Sequence, residues 1–200
     1  TKRDWRNRNK IKTKNGLKWL TIPVKVKGRY LQAVKDVIIE DQNWIYNHLA
    51  TIKHNYSKSR YFKELFPSLE NLYLCHARNK LYLSEVNLIF IKFFCKILKI
   101  KTKITSSVNY NISKKDQNQK LIELCLHSKA KIYLSGPKAK GYIDESQFKK
   151  ESIKIEWYDY NGYLKYKQLY DPFFHNVSVI DLWLNNGSNA YSFLKSNKLP

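Results

Sequence analysis

The sequence predicts a single α/β domain over residues 1–200, with a mixed sheet, helices on both faces of that sheet, and a C-terminal hairpin and helix. Stretches of strand-like and helix-like periodicity alternate through the middle of the chain, which is typical of α/β proteins. A length of 200 residues suits one domain with a hydrophobic core. Neither an internal repeat nor a long linker divides the sequence, so one domain is expected.

A hairpin and a further strand are predicted near the N-terminus. Trp19–Val26 alternates in polarity and is rich in β-forming residues. The turn signal Asn15-Gly16 precedes it, so Ile11 and Trp19 are expected to flank a hairpin. Val34–Glu40 has the same character and predicts the next strand.

Helical spacing dominates the following segment. Asp41 or Asn43 is expected to cap a helix with an apolar face of four residues. That face consists of Ile45, Leu49, Ile52 and Tyr56. Pro67 precedes a second helix, which is predicted to pass through Leu69, Leu72 and Tyr73.

The most apolar stretch, Leu81–Ile100, predicts an amphipathic core helix. Its apolar residues recur at i, i+3, i+4 and i+7, while Glu85, Lys92 and Lys96 share the other face. A membrane span needs about 20 predominantly apolar residues, and these charges interrupt the run. We therefore expect no membrane span.

The second half of the chain is expected to continue the alternation. Thr102–Ser107 predicts a short strand, and Ser113-x-x-Asp116 resembles a capping box. The helix that follows carries Leu121, Leu124 and Cys125 on one face. Lys131–Leu134 and Ile153–Tyr158 are predicted strands.

The C-terminal hairpin and helix complete the prediction. Asn161-Gly162 is a turn signal, and Leu164–Leu169 is expected to pair back across it. Ser178 is expected to cap a helix over Val179–Leu184, which Asn186-Gly187 would end.

The formal net charge of +21 has two interpretations. It is typical of proteins that bind nucleic acid or membrane surfaces. It also fits drift toward A/T-rich codons, because Lys, Asn, Ile and Tyr are abundant and Met is absent. We favour drift, since phosphate-binding surfaces usually use more Arg. Weak non-specific binding of nucleic acid at low salt is expected in either case.

The cysteines predict neither a disulfide framework nor a zinc site. Cys75, Cys95 and Cys125 are widely and irregularly spaced, and the sequence shows no signal peptide, so a cytoplasmic location is expected. Cys95 and Cys125 lie on helix faces as small buried hydrophobes do, which argues against a Cys nucleophile. No histidine pair has metal-ligand spacing, and no Walker, G-x-G-x-x-G or G-x-S-x-G motif identifies a cofactor.

Arginine is scarce and concentrated at the N-terminus, where Arg3, Arg6 and Arg8 are half of the total. Its rigid fork of donors suits carboxylate or phosphate. If the segment is extended, alternation places Arg6, Arg8 and Lys10 on one side. The segment is either an anion site or a solvated basic arm. The candidate substrate-binding residues here are Trp5, Arg6, Asn7, Arg8, Asn9, Lys10 and Trp19.

The bend Ser135-Gly136 follows a predicted strand. Ligands bind at the carboxyl ends of strands in open α/β sheets, although most such bends are only turns. We take Ser135 as a candidate catalytic residue and Gly136 as a candidate binding residue. Ser106 and Ser107 end another predicted strand and are expected to lie beside the bend.

Two polar residues near the C-terminus complete the candidate site. Asp181 is a candidate catalytic base. It also falls in the first turn of its predicted helix, where a negative charge is favoured, and this structural interpretation is the safer of the two. Gln168, within Tyr166-x-Gln168, is a candidate binding residue.

Several patterns, in order and spacing, resemble the WbqC-like proteins from Lys2 to about Gly187. They are Lys2-Arg3-x-Trp5-x-Asn7-Arg8-Asn9-x-Ile11, Asn15-Gly16-x-x-Trp19-Leu20-Thr21-x-Pro23-Val24, Tyr133-Leu134-Ser135-Gly136-x-x-Ala139-x-x-Tyr142, Tyr166-x-Gln168, Phe173, and Ser178-Val179-Ile180-Asp181-Leu182 with Asn186-Gly187. The resemblance adds Tyr142 to the candidate binding residues. Family members usually begin with a strand and a Gln-Pro segment, which this sequence lacks before its Lys-Arg-x-Trp block.

The resemblance implies a role in bacterial surface-polysaccharide (O-antigen) biosynthesis, with amino-acid (glycine) transfer onto an amino sugar as the activity proposed for the family. The leading hypothesis is acyl or aminoacyl transfer to a nucleotide-linked amino sugar. Arg6, Arg8 and Lys10 would face the diphosphate, and the base would be Asp181 or a histidine. Backbone N–H groups near Ser135-Gly136 would form an anion nest. The alternative is a non-enzymatic basic module that binds nucleic acid.

Overall fold

The structure is a computed structural model that describes residues 5–29, 32–112 and 116–195, and for Trp5 the backbone only. The chain forms two compact units, Thr1–Lys101 with Tyr163–Pro200 and, inserted between them, Thr102–Gly162. Each unit has a hydrophobic cluster of its own. The mixed α/β class is confirmed, whereas the expectation of one domain over residues 1–200 stays a prediction.

The helices and strands have the following bounds. The α-helices are α1 (Trp44–Tyr56), α2 (Phe62–Asn71), α3 (Leu83–Ile97), α4 (Gln117–His127), α5 (Glu145–Lys150) and α6 (Val179–Asn186). The strands are β1 (Arg8–Thr13), β2 (Gly16–Thr21), β3 (Ile132–Ser135) and β4 (Lys154–Trp157). A π-helical segment, Leu72–Ala77, extends α2.

The predicted mixed sheet with helices on both faces is wrong. The described strands form two separate two-stranded sheets, β1 with β2 and β3 with β4. The first is the predicted hairpin, and Gly16 turns it with a φ of 101°, a conformation that glycine adopts without strain. Lys10 lies opposite Trp19 in its register. β2 ends at Thr21 rather than continuing to Val26.

Two other predicted strands in the first unit are absent from its described residues. Val34–Glu40 forms a 3₁₀ turn at Val34–Asp36, and beyond it Ile38 and Ile39 make only isolated bridges. Leu164–Leu169 forms no hairpin. Its alternate residues Tyr166 and Gln168 point inward to a buried carboxylate, so side-chain hydrogen bonds replace a strand ladder.

Two helices of the first unit, α1 and α3, follow the predicted periodicity, whereas α2 begins at Phe62 and contains Pro67 instead of following it. The predicted face of α1 is buried, and α3 confirms the amphipathic helix, with Glu85 accepting a hydrogen bond from the Tyr82 backbone at its start. Ser178 caps α6 by accepting from the Ile180 backbone. Gly187 ends α6 with a φ of 59°, and a Cβ there would meet the Tyr61 ring at 2.7 Å. No helix among the described residues is long and apolar enough to cross a bilayer.

The second unit contains a β3–α5–β4 crossover whose strands run parallel, as such connections allow. The strand predicted at Thr102–Ser107 is absent, because every residue of that segment is exposed and neither face of a strand would be buried. Asp116 caps α4 by accepting from the Asn118 and Gln119 backbones. Ser113 lies outside the described residues.

Candidate functional site

A cavity of about 810 Å³ lies in the first unit between the hairpin, α1, α3 and the start of α6. This volume is within the range of about 300–1,000 Å³ that is usual for small-molecule sites. Its lining consists of Arg6, Asn7, Arg8, Asn9, Lys10, Trp19, Leu20, Ile22, Trp44, His48, Tyr73, Val86, Asn87, Phe90, Ile91, Phe94, Asn176, Ser178, Val179 and Ile180. Cations are present in this set and carboxylates are not, so the described lining favours anions.

The mouth of the cavity is formed by cations grouped around one indole. Trp19 is 44% exposed, the guanidinium of Arg8 lies 4.5 Å from its ring centroid, and Nζ of Lys10 lies 4.8 Å from it. Cation–π contacts of this kind orient long side chains that would otherwise sample many rotamers. Within the described residues, neither cation is paired with a carboxylate. Both charges are therefore available to an anion.

The chain before β1 is held against the cavity by backbone contacts. The Asn7 side chain donates to the Ile22 carbonyl at 3.0 Å, and the Ile22 N–H donates to the Asn7 carbonyl at 2.8 Å. Asn87 of α3 donates to the Arg6 carbonyl at 3.2 Å. The Asn9 side chain accepts from the Lys10 backbone. The two asparagines predicted to bind substrate thus have structural partners, which fix the neighbouring cations.

The floor of the cavity is buried, aromatic and uncharged. His48, 6% exposed, lies 3.0 Å through Nε2 from the Thr21 carbonyl, and because a carbonyl only accepts, Nε2 carries the hydrogen. Burial lowers the pKa of His48 to about 4, so the ring is neutral at pH 7. Its Nδ1 is left as an acceptor, 3.5 Å from the Tyr73 hydroxyl.

Trp44, which precedes His48 by one helical turn and also lines the cavity, has a buried and unpaired indole N–H. The residue is 2% exposed, and its indole N–H has no hydrogen-bond partner among the described residues. An unpaired buried donor costs about 1–3 kcal/mol, so native proteins rarely contain one. Sequence reasoning missed Trp44 and His48, although Trp44, His48 and Ile52 recur at i, i+4 and i+8 along α1.

Behind the cavity, Asp181 is the centre of a buried hydrogen-bond network. The carboxylate is fully buried and accepts from the Tyr56 hydroxyl at 2.7 Å, the Tyr166 hydroxyl at 2.7 Å and the Gln168 amide at 3.1 Å. Burial raises the pKa of Asp181, and these donors partly oppose the rise. Both oxygens accept from hydroxyls, which fits the ionised form.

This network holds α6 against the hairpin. Tyr56 accepts from the Lys12 backbone at 3.0 Å while it donates to Asp181, so it connects β1, α1 and α6. On the cavity side, the Ser178 N–H donates to the Lys10 carbonyl at 2.6 Å. Asp181 itself is not among the residues that line the cavity, so its carboxylate positions the wall from behind.

Lys12 supplies the positive charge of this interior. It is 1% exposed, its ammonium donates to the Pro172 carbonyl at 2.5 Å, and it lies 4.0 Å from the Phe174 ring centroid. Burial lowers the pKa of Lys12, and the charges of Asp181 and Asp171 oppose that change. Nothing in the sequence distinguishes Lys12 from the exposed lysines around it.

Gln168, predicted to bind substrate, is committed to this interior. Its amide donates to the Phe174 carbonyl at 2.8 Å and its carbonyl accepts from the Phe174 N–H at 2.9 Å. Together with the bond to Asp181, these contacts close the loop before α6.

The remaining predicted site residues belong to the second unit. Ser135 ends β3, and its carbonyl accepts from the Tyr158 N–H at 2.7 Å. A Cβ on Gly136 would meet the Tyr160 hydroxyl at 3.2 Å, so the bend packs closely. Tyr142 is 50% exposed, and Ser106 and Ser107 are exposed. That these residues meet the N-terminal cations stays a prediction.

Metal and thiol chemistry gain no support from the described part of the chain. No group of three or more His, Cys, Asp or Glu is placed there to hold a metal ion. Cys125 is buried, and burial raises the pKa of its thiol, which lowers the fraction of reactive thiolate.

Comparison with known proteins identifies the family. The chain belongs to the WbqC-like protein family, whose sequence pattern matches residues 1–193, and the predicted resemblance is thereby confirmed. It is 39% identical over 195 residues to "Uncharacterized protein Rv1507c" of Mycobacterium tuberculosis, a match that covers 98% of this chain and 83% of that protein. No solved structure matches the chain.

Proposed function

We propose that the cavity binds an anionic small molecule, and that the protein transfers an acyl or aminoacyl group to a nucleotide-linked amino sugar in bacterial surface-polysaccharide biosynthesis. The observation that carries this proposal is the placement of Arg8 and Lys10 on Trp19, at the mouth of a cavity with an apolar floor. A diphosphate would lie against Arg6, Arg8 and Lys10, and the indole of Trp19 would contact the nucleotide base.

The reaction would join the amine nitrogen of the sugar to the carbonyl carbon of an activated acyl or aminoacyl ester or thioester. The carbon–nitrogen bond forms, the bond from carbon to the leaving oxygen or sulfur breaks, and the amine proton passes through a base to the leaving group. Among the described lining residues, His48 offers a neutral nitrogen with a lone pair, Nδ1, as the base. Asp181 would act as a positioning residue through its hydrogen bond to Tyr56.

A thermal-shift titration tests the binding step. At physiological salt, UDP-glucose and UDP-N-acetylglucosamine are expected to raise the melting temperature of the wild type with increasing concentration. Arg8→Ala is expected to remove the shift and leave the apo melting temperature unchanged. Arg60→Ala is the matched control, since Arg60 lies over Tyr61 and is not among the cavity residues. If Arg8→Ala lowers apo stability and keeps the ligand response, Arg8 is structural and the proposal is wrong.

Binding of nucleic acid is the alternative that the net charge of +21 favours. It predicts sequence-independent binding of oligonucleotides, with an affinity that falls steeply as salt rises. The proposed cavity function predicts that Arg8→Ala affects sugar-nucleotide binding far more than oligonucleotide binding. Steep salt dependence together with no response to either sugar nucleotide would favour the alternative.

A further inference from the structure

We propose that the transferred group is an uncharged aliphatic acyl chain, and that this chain lies along an apolar wall of the cavity formed by α3. The wall, called the α3 wall below, consists of Phe90, Ile91 and Phe94. This inference rests on the proposed function and specifies its substrate class, because that function leaves acyl and aminoacyl groups as alternatives.

One face of α3 supplies the wall. Asn87, Phe90, Ile91 and Phe94 all line the cavity and recur at i, i+3, i+4 and i+7, so their side chains project from the same side of the helix. Ile91 is 51% exposed and Phe90 is half-buried, so a ligand in the cavity can contact both. Phe94 is 8% exposed and continues the wall toward the interior.

The exposure of Ile91 in a cavity indicates an apolar ligand. The charges of α3 at Glu85, Lys92 and Lys96 lie on its other face, and Val179 at the start of α6 adds half-buried apolar surface to the lining. Covering such surface with an apolar group is favourable because it releases water. The hydroxyl groups of a sugar would find no hydrogen-bond partner in the side chains of the α3 wall.

The charges of the lining favour an acyl group over an aminoacyl group. At pH 7 the amine of a glycyl group is largely an ammonium. Neither Asp nor Glu is among the described lining residues, and the cations Arg8 and Lys10 would repel a further positive charge. An ammonium at the α3 wall would therefore lose hydration without gaining a counter-ion, whereas a methyl group in its place has no such cost.

The charged and apolar parts of the cavity adjoin each other. The Asn87 side chain donates to the Arg6 carbonyl at 3.2 Å, and Ile91 follows Asn87 by one turn on the same face of α3. A ligand whose diphosphate lies against the N-terminal cations is thus close to the α3 wall. The product of the proposed transfer combines both features, since its new amide joins the acyl chain to the amino sugar of the nucleotide.

A series of ligands that differ only in chain length tests the wall. UDP-glucosamine is acylated on nitrogen with acetyl, propanoyl, butanoyl or hexanoyl groups, and binding to the wild type is measured by calorimetry. We expect the affinity to rise about threefold with each added methylene. This is below the roughly fourfold gain that complete burial of a CH₂ group provides, because Ile91 is partly open to water. Equal affinities along the series would overturn the inference.

A matched pair of compounds tests the preference for an uncharged group. The N-glycyl and N-propanoyl derivatives of UDP-glucosamine have the same shape and differ by an ammonium in place of a methyl group. At pH 7 and equal salt, the wild type is expected to bind the propanoyl compound about tenfold more tightly. Equal or tighter binding of the glycyl compound would overturn the inference and favour aminoacyl transfer.

Ile91→Asp tests where the chain lies, because it places a carboxylate in the α3 wall. This variant is expected to reverse the order of the glycyl and propanoyl compounds and to reduce the gain per methylene. Leu126→Asp is the control, since Leu126 is 48% exposed on α4 and is not among the cavity residues, so the wild-type order is expected to persist. If Ile91→Asp also keeps the wild-type order, the chain does not lie on the α3 wall. If Ile91→Asp does not fold, the two wild-type comparisons still decide.

The outcomes separate this inference from the proposed function. Binding of UDP-glucose together with equal affinities along the acyl series would overturn the α3 wall as a chain site and leave the anion cavity in place. Absence of binding by every compound at millimolar concentration would overturn the anion cavity and the chain site together.

Discussion

Three cations alternate along β1, and their environments differ completely. Arg8 and Lys10 lie on the exposed indole of Trp19 at the cavity mouth. Lys12, two residues further along the same strand, is 1% exposed and donates to the Pro172 carbonyl in the interior. The same alternation that places these side chains on one side of the strand therefore serves a cavity at one end and a buried polar network at the other.

One strand therefore contributes both to the proposed binding site and to the stability of the fold. Charges at the mouth keep their contact with water and, in the proposed function, are matched by a ligand, so their removal should affect binding. The charge of Lys12 is matched within the fold, so its removal should affect folding. The Ser178-to-Lys10 backbone bond lies between these two regions. Substitutions in each region should therefore have separable effects.

Asp181→Asn is expected to have the largest effect on stability, because it disrupts the buried hydrogen-bond network around this carboxylate. The asparagine keeps the shape, but its NH₂ faces a tyrosine hydroxyl that has lost its acceptor, and Lys12 loses a nearby negative charge. We expect a loss of about 3–5 kcal/mol in the free energy of unfolding, measured by urea denaturation. Glu70→Gln, an exposed carboxylate on α2, is the control and should match the wild type. A loss below about 1 kcal/mol would mean that the network is not needed for folding.

His48 should make stability fall in mild acid. In the unfolded chain it takes up a proton near pH 6.5, whereas the folded state resists protonation until about pH 4, so acid favours unfolding across this interval. The contribution is about 3 kcal/mol between these two pH values. His48→Gln keeps a donor for the Thr21 carbonyl and should reduce the change of the free energy of unfolding with pH between pH 4 and pH 6.5. Parallel pH–stability curves for the two proteins would contradict the assignment of a buried neutral imidazole.

Lys12→Met and Lys10→Met test the comparison on neighbouring positions of one strand. Lys12→Met removes the partner of the Pro172 carbonyl and should cost about 2 kcal/mol of stability. Lys10→Met should leave stability unchanged and weaken the binding of sugar nucleotides. Urea denaturation measures the stability of both variants, and calorimetry measures their binding of sugar nucleotides. Equal losses of stability would show that the environments do not differ as described.

Tyr56→Phe and Tyr166→Phe are expected to have the smallest effects, and they compare the two tyrosines that donate to Asp181. Tyr56 is 1% exposed and has two partners, the Asp181 carboxylate and the Lys12 N–H, so its loss should cost about 1.5 kcal/mol. Tyr166 is only partly buried, and water can replace its hydroxyl, so about 1 kcal/mol is expected. The midpoints of urea unfolding compare the two stability losses. A larger loss for Tyr166→Phe than for Tyr56→Phe would mean that the C-terminal loop contributes more to the network than α1 does.

Local signals predicted the local structure. The Asn15-Gly16 turn, the periodicity of α3 and the Ser178 cap each depend on residues within a few positions of one another, and all three are present. The cations around Trp19 were also accessible to sequence reasoning, because arginine is rare and clustered in this chain.

Long-range pairing could not be predicted in the same way. Tyr166 and Gln168 alternate as a strand would, yet they serve a carboxylate on α6, and no pattern in the segment distinguishes the two uses. Lys12 has the same neighbours in sequence as the exposed lysines, so its burial depends on Phe174 and Pro172, far along the chain. Thr102–Ser107 has strand-forming residues but no surface to cover it.

Hydrogen–deuterium exchange with and without UDP-N-acetylglucosamine shows where an anion binds to this protein. We expect the ligand to protect Arg8–Thr13, Gly16–Thr21 and the first turn of α6 in the wild type, and to protect none of these segments in Arg8→Ala. If saturating ligand leaves the hairpin and α6 unprotected, the anion does not bind in this cavity.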